Sequence, residues 1–444
     1  MHNRVLLAGT HSGCGKTTIT IALLAALRAR GLYVASFKCG PDYIDAMFHK
    51  SALGVTAHNL DPFFCEPQKL NSILAHYKGK DVSILEGVMG YYDGIACTQW
   101  ASTYAVAGIT KTPVILVADV TGMANSIGAV VKGFVEYGRE RHICGVIFNC
   151  CPEARYADLC GAVERARVRP LGFLPCNGDN AVKSRHLGLM TAHEVTDLPQ
   201  KLSRLGALAE KHLDIDGILS LAASAPEVRA QALYREEEKV SARIAVAKDE
   251  AFSFCYQENL DLLEALGAEP VFFSPLRDAA LPANTGGLYI PGGYPELHAQ
   301  ALGKNKPMLQ CIRDSIGQGL PTIAECGGFL YLHDTLDGVP MAGVIGGDAF
   351  RTNKPQRFGY MELEANKDTL LCAKGESFFA HEFHYYESDN PGDAFTAHKA
   401  GRNKSWPAIH ATDTLYAGFP HLYFHTNPKM ARHFMRKAAG YAAK

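Results

Sequence analysis

The stretch "VLLAGTHSGCGKTT" (residues 5–18) constrains the fold more than any other part of the chain. An apolar run enters a glycine-studded turn that ends in Gly15-Lys16-Thr17 and continues into a strong helix former. Backbone N–H groups of such a turn, backed by the N-terminus of the following helix, bind phosphate oxygens. Lys16 is then set to reach the β- and γ-phosphates of a nucleotide, and the Thr17 hydroxyl to ligate Mg2+. The common pattern asks for glycine where Thr10 stands, so Gly9, Gly13 and Gly15 make this a variant P-loop.

The rest of the first half repeats that logic. The runs "YVASFK" (33–38), "VSILEG" (82–87), "PVILVAD" (113–119) and "CGVIFN" (144–149) read as buried strands, with helical patterns between them. Nearly continuous apolar strands alternating with helices form a parallel sheet covered on both faces. Ligands of such sheets gather at the carboxyl ends of the strands. A polar, charged stretch near 226–242 interrupts the series. "RIAVAKD" (243–249), "EPVFFS" (269–274), "GGLYIPGG" (286–293) and "LPTIAECGG" (320–328) then begin a second one. With 444 residues the chain exceeds what one core supports. The reading is therefore an α/β protein of two domains: a P-loop parallel-sheet domain over 1–225, a linker over 226–242, and a second α/β domain over 243–444.

A net charge of −1 offers no basic footprint for nucleic acid or for a membrane surface. No apolar stretch reaches the ~18 residues that cross a bilayer. "MHNRVLLAG" lacks the apolar core of a signal peptide, and a cytoplasmic location is expected. The 13 cysteines form no C-x-x-C pair, so zinc ribbons and thioredoxin-type redox motifs are unsupported.

Carboxylates collect where the strands of the first half end. "KCGPDYID" (38–45) supplies Asp42 and Asp45, and "ILEGVMGYYDG" (84–94) supplies Glu86 and Asp93. An acidic residue after a buried strand beside a P-loop is the usual partner of Mg2+. Four exceed what one magnesium needs, which leaves some to orient an acceptor or to serve as turn residues.

In the second half "TIAECGGFLYL" (322–332) reads as strand, sharp turn at Cys326 and helix, the pattern of a nucleophile elbow. The helix N-terminus favours a thiolate there, and the Gly327 N–H points where an oxyanion forms. "IPGGYPE" (290–296) offers Gly292 or Gly293 as the other oxyanion donor. A base must accompany the thiol, and spacing alone does not choose among His381, His384, His421 and His425.

Together these motifs resemble the cobyrinic acid a,c-diamide synthase family. The resemblance runs through "GTHSGCGKTT", "KCGPDYID", "NLDPF", "EGVMGYYDG", "GVIFN", "RHLGL" (185–189), "IPGGYPELHA", "AECGGFLYL", "RFGYMELE", "HEFHYYE" and "FPHLYFHTNP", almost the whole chain. The first half is also similar to dethiobiotin synthetase, the second to class I glutamine amidotransferases of the cobyric-acid type. The resemblance implies an ATP- and Mg2+-dependent ligase. It would amidate the a- and c-acetate carboxylates of a tetrapyrrole polycarboxylic acid through acyl phosphates, with ammonia from L-glutamine.

It further implies Cys326 as nucleophile with His421 as its base, in "AGFPHLYF", where the family's second histidine is Tyr423 here. The family lacks the His-x-Glu of other glutaminases, so no acid is named. Asn149 matches the adenine-reading asparagine of dethiobiotin synthetase. Asp42, Tyr43, Ile44, Asp45 and Asp93 match substrate-binding positions, while Thr17, Asp45 and Glu86 match metal-binding ones. Hydrogenobyrinic acid or nickel-sirohydrochlorin would undergo the same chemistry, and cobyric acid synthase shares the two-part plan. Cobyric acid synthase typically follows the second-strand lysine with an Asn-rich run, where Lys38 here precedes "CGPDYID". Partitioning-type ATPases carry a second lysine at the position of His11. Assembly as a homo-oligomer is left open.

Overall fold

Seven short runs of the first half become the strands of one parallel sheet. They are β1 (Arg4–Gly9), β2 (Val34–Cys39), β3 (Thr56–Leu60), β4 (Val82–Glu86), β5 (Val114–Asp119), β6 (Ile143–Asn149) and β7 (Arg169–Phe173). Their spatial order is β3-β2-β4-β1-β5-β6-β7. The computed structural model describes residues 2–176, 184–185, 188–189, 197–234 and 239–443, and the chain divides into two units, Met1–Leu233 and Tyr234–Lys444.

Strands β1 and β2 are buried along their whole length, as expected for the middle of a sheet covered on both faces. Strands β3 and β7 were not expected from sequence, and both lie at edges of the sheet. "TAHNL" is half polar and "RPLGF" carries a proline that central strands do not tolerate. Helices α1 (Lys16–Ala29), α2 (Tyr43–Leu53), α3 (Pro67–His76), α4 (Thr103–Thr110), α5 (Ser126–Tyr137) and α6 (Tyr156–Val163) connect the strands. A two-stranded ribbon follows, β8 (Ser184–Arg185) with β9 (Gly188–Leu189), and then α7 (Leu198–His212) and α8 (Ile215–Ala223). The remaining residues of the "RHLGL" motif, His186 and Leu187, lie outside the described residues.

Arg4 is fully buried, and its guanidinium is satisfied by Thr112 Oγ1 and by the carbonyls of His2, Thr110 and Pro226. That set of bonds ties the end of the unit back onto β1.

The second unit starts with β10 (Ala242–Ala247), α9 (Gln257–Ala265), β11 (Ala268–Phe273) and β12 (Gly287–Ile290). It continues through α10 (Ala299–Lys304), α11 (Lys306–Gly317), β13 (Thr322–Glu325) and α12 (Gly327–Tyr331). Next come β14 (His333–Leu336), β15 (Val339–Pro340), β16 (Ile345–Ala365), β17 (Ser377–Ser388), β18 (Phe395–Lys399) and β19 (Ser405–Ala408). The chain ends with β20 (His410–Ala411), β21 (Leu415–Gly418), β22 (His421–Leu422) and α13 (Lys429–Ala442).

Six of these strands form a sheet ordered β11-β10-β12-β13-β21-β20, parallel except for the β20–β21 pair. Side-chain alternation splits its core into two layers. Tyr289 and Ile323 pack on one face with Met430 and Phe434 of α13, while Leu288, Ile290 and Ala324 pack on the other with Met308 and Phe329. The second sheet, β15-β14-β16-β17-β22, lies partly against the first layer through Met361, Leu363 and Phe378. Its long β16–β17 hairpin is not expected from the sequence reading, which takes from "HEFHYYE" two candidate histidines and a family motif but no strand. Among the described residues no helix is long and apolar enough to cross a membrane.

Candidate active sites

The turn between β1 and α1 is built for anions. Gly13 and Gly15 adopt left-handed backbone, φ 86° and 95°, and Gly15 opens α1 without a side-chain cap. Asn149, at the end of β6, donates from Nδ2 to Cys14 O at 3.0 Å, so the sheet edge braces the loop. A Cβ on Gly15 would stand 2.1 Å from that amide, which requires glycine there.

Lys16 is buried and donates to Met89 O at 2.5 Å and to His11 O at 3.4 Å. Burial pulls its ammonium below the ordinary lysine value. Met89 belongs to the loop after β4, which is pinned across β1 by Gly87 N to Leu7 O and Tyr91 N to Gly9 O, both 2.8 Å.

A sealed cluster of charges stands beside this loop. Thr17 Oγ1 donates to Glu86 Oε1 at 2.6 Å, and Lys38 Nζ donates to the same oxygen at 2.8 Å. Lys38 also donates to Asp45 Oδ2. His49 Nε2 lies 3.6 Å from Glu86 Oε2, and Ser36 Oγ pairs with His49 Nδ1 at 2.9 Å. Burial opposes the Lys38 charge, yet Asp45 and Glu86 hold its ammonium well above the ordinary range. Burial likewise disfavours the Glu86 charge, but Lys38 and His49 outweigh it and lower the pKa. Lys38 and His49 were not among the expected site residues. The available signal was a lysine at the end of a buried strand, four residues before the first acid of "KCGPDYID".

The other carboxylates differ. Asp42 caps α2, accepting from Ile44 N at 3.0 Å and Asp45 N at 3.4 Å, and burial followed by the Asp45 charge raises it to about 7. Tyr43 and Ile44 are buried in the first turn of that helix. Asp93 is exposed and accepts from Gly90 N at 2.9 Å, so it shapes the turn and makes no hydrogen bond to the Glu86 cluster.

Thr17, Asp45 and Glu86 fit a magnesium ion. Their donors are all hard oxygens, and the buried Glu86 Oε2 has no hydrogen-bond partner. Among the described residues no group of three or more His, Cys, Asp or Glu side chains could hold a metal.

The second unit's site forms at the carboxyl end of β13. Cys326 has φ 47° and ψ −101°, a strained conformation for a residue with a side chain. Its N–H is fixed to Gly418 O at 2.8 Å, and two glycines open α12 behind it. A Cβ on Gly327 would stand 2.8 Å from Gly293 N. A Cβ on Gly292 would stand 2.5 Å from His421 Cε1. The Gly292-Gly293 turn therefore touches the elbow on one side and the His421 ring on the other.

Burial, reinforced by Glu296 and Glu382, pushes the Cys326 thiol far above its ordinary value. Desolvation thus opposes the thiolate preference expected at the helix N-terminus, and a base to take the thiol proton matters the more.

His421 on β22 pairs with His381 on β17, and their rings stack with centroids 5.1 Å apart. His421 is fully buried, and burial lowers its pKa to about 3. Its Nδ1 lies 3.7 Å from Oε2 of Glu325, the residue before the nucleophile. Tyr289 O–H donates to Glu325 Oε1 at 2.9 Å, and burial raises this carboxyl to about 8. His384 instead stacks on Phe419 and bonds Tyr386 O, with Glu382 Oε2 at 3.4 Å. His425 is buried beside Tyr423.

Comparison with known proteins matches each unit to a family. Residues 5–187 match the CobQ/CobB/MinD/ParA nucleotide binding domain, and residues 243–429 match the CobB/CobQ-like glutamine amidotransferase domain. The solved structure of PurLQS from Thermotoga maritima overlaps 45% of this chain and 99% of that chain, at 15% identity and a TM-score of 0.33. Cobyrinate a,c-diamide synthase of Caldanaerobacter subterraneus is 36% identical over 99% of both chains. The enzymes of that name from Clostridium acetobutylicum and Salmonella typhimurium are 37% identical over 97% of this chain and 99% of theirs, and 38% identical over 98% of each. The chain belongs to the family of cobyrinate a,c-diamide synthases.

Proposed function

We propose that this chain is a glutamine-dependent ligase that uses ATP to amidate the a- and c-acetate carboxylates of cobyrinic acid. One combination carries the reading: a P-loop whose Thr17 reaches a buried Lys38–Glu86–Asp45 cluster, and a strained cysteine elbow whose oxyanion turn also touches a histidine.

A carboxylate resists ammonia because oxide is a poor leaving group. Transfer of the γ-phosphoryl group to a substrate carboxylate oxygen makes an acyl phosphate, from which phosphate departs as ammonia attacks. Backbone N–H groups of the P-loop and Lys16 bind the phosphates and offset the charge that develops during transfer. Lys38 offsets Asp45 and Glu86, so a triphosphate and a polyacid meet less repulsion. Asp42, Tyr43, Ile44, Asp45 and Asp93 are proposed to orient the acidic substrate, and Asn149 to recognise adenine. Thr17, Asp45 and Glu86 would hold Mg2+, which supplies Lewis-acid neutralisation of phosphate charge.

In the second unit His421 takes the proton of Cys326 as sulfur attacks the glutamine side-chain carbonyl. The N–H groups of Gly327 and of Gly292 or Gly293 receive the oxyanion. The C–N bond then breaks, the proton leaves with ammonia, and water hydrolyses the thioester to glutamate and free thiol. Thirteen cysteines, all free thiols, suit a reducing cytoplasm.

Mass spectrometry of a reaction holding ATP, Mg2+, glutamine and separately cobyrinic acid, hydrogenobyrinic acid and nickel-sirohydrochlorin tests the reading. Two amides gained on cobyrinic acid support it. Two gained only on another macrocycle move the substrate. ATP hydrolysis with no amide on any of them points to a partitioning-type ATPase and overturns the proposal.

A further inference from the structure

The geometry points to Glu325 as the positioning acid of the glutaminase site, acting through His421. This rests on the glutaminase reading above and supplies the member that the sequence motif leaves vacant.

A cysteine–histidine pair works only if the imidazole presents its basic nitrogen to the thiol, so the other nitrogen must carry the proton. A carboxylate at Nδ1 fixes that tautomer and stabilises the imidazolium once the thiol proton arrives; burial raises Glu325 to about 8, so this charged form becomes the majority only as pH rises through that value. Glu325 Oε2 stands 3.7 Å from His421 Nδ1, with both side chains sealed from solvent. Such contacts are often long before substrate binds and tighten in the Michaelis complex.

The carboxylate is itself held. Tyr289 O–H donates to its other oxygen at 2.9 Å, and the Leu422 backbone also hydrogen-bonds it. Asn259, whose amide lies 3.5 Å from the Tyr289 hydroxyl, clamps the segment after the histidine, donating to Leu422 O and accepting from Phe424 N, both at 2.8 Å. Tyr289, Glu325, Asn259 and the backbone of Leu422 and Phe424 thus form one buried hydrogen-bond network, with the 3.7 Å gap at His421 Nδ1 the link still to close. Glu382 on β17 is the alternative acid: its charge favours the His421 imidazolium, but its own contact is to Nε2 of His384 at 3.4 Å, while Glu325 is the carboxylate placed at His421 Nδ1. β-Strand alternation explains how Glu325 serves: it points to the face of β13 opposite Ala324, immediately before the chain turns at Cys326.

The test compares E325Q and C326A in the full-length protein at about pH 9, where Glu325 is ionised, with glutamine or ammonium chloride as nitrogen source. Glutamine in place of Glu325 keeps size and hydrogen bonds to Tyr289 but removes the charge, so a purely structural role survives it. A positioning role does not: E325Q is expected to lose about 100-fold in glutaminase kcat with KM changed by less than about twofold. Ammonia-supported amidation should persist. Glutaminase kcat in E325Q within about threefold of wild type overturns the proposal. If E325Q also loses ammonia-supported amidation, the decision passes to Tyr289→Phe, which releases the carboxylate. A drop of about tenfold in glutaminase kcat there upholds the proposal, and an unchanged value overturns it. C326A that still hydrolyses glutamine would instead refute the glutaminase reading itself.

Discussion

Lys38 Nζ lies 2.8 Å from Glu86 Oε1, and neither side chain is reached by solvent to any useful extent. Removing one member of a buried ion pair leaves the other uncompensated, at about 3–5 kcal/mol. Lys38→Ala, which strands both Glu86 and Asp45, should therefore lower the thermal midpoint of the first unit's transition by about 10 °C. It should also stop amidation with either nitrogen source. A calorimetric midpoint equal to wild type would mean the pair contributes nothing to the fold.

Nitrogen-source selectivity separates the two sites. Cys326→Ala should abolish glutamine-supported amidation and spare the ammonia-supported reaction, because only the former needs a thiol. Lys16→Ala should lose both, since activation of the carboxylate precedes either. Steady-state assays with glutamine and with ammonium chloride read the difference directly. Loss of both in Cys326→Ala would contradict the division of labour.

Desolvation sets the pH behaviour of the elbow. A thiol pKa raised far above its ordinary value means that the thiolate fraction is minute at neutral pH. Iodoacetamide alkylation of Cys326, followed by peptide mass spectrometry without glutamine, should rise about tenfold per pH unit from 7 to 9 with no plateau. A plateau near neutrality would mean a resting thiolate, with burial outweighed by the helix N-terminus.

Crowding at the oxyanion turn gives a further prediction. A methyl group on Gly327 would stand 2.8 Å from Gly293 N and 2.9 Å from Pro295 Cδ. Gly327→Ala should lower glutaminase kcat by about 100-fold, the range for losing one oxyanion donor, while ammonia-supported amidation continues. Normal glutaminase turnover in this variant would place the oxyanion elsewhere.

Much of this was legible before any coordinates. Buried central strands such as "RVLLAG" and "PVILVAD" announce themselves through unbroken apolar runs. The edge strands at 56–60 and 169–173 hide because edges tolerate His, Asn and Pro. The two glycine-flanked turns at Lys16 and Cys326 carry local signatures, since a phosphate cradle and a strained elbow demand particular residues in sequence. Lys38 carries only its place at the end of a buried strand before "CGPDYID", and His49 and Glu325 carry none. Lys38 comes beside Glu86 by the pairing of β2 with β4, His49 by the placement of α2, and Glu325 near His421 by the pairing of β13 with β21 just before β22, none of which a short motif records. Asp93 carries a signal of both kinds: its place in "EGVMGYYDG" resembles that of a ligand, and one of its carboxylate oxygens also shapes the turn through Gly90 N.

The central claim is that the nucleotide's phosphoryl group is transferred to the substrate's own carboxylate. The most direct measurement uses a tetrapyrrole acid with oxygen-18 in its acetate carboxylates, incubated with ATP, Mg2+ and ammonia, and follows the label into released phosphate. Transfer through an acyl phosphate predicts one labelled oxygen in the phosphate for each amide formed. Amide formation accompanied by unlabelled phosphate would contradict it.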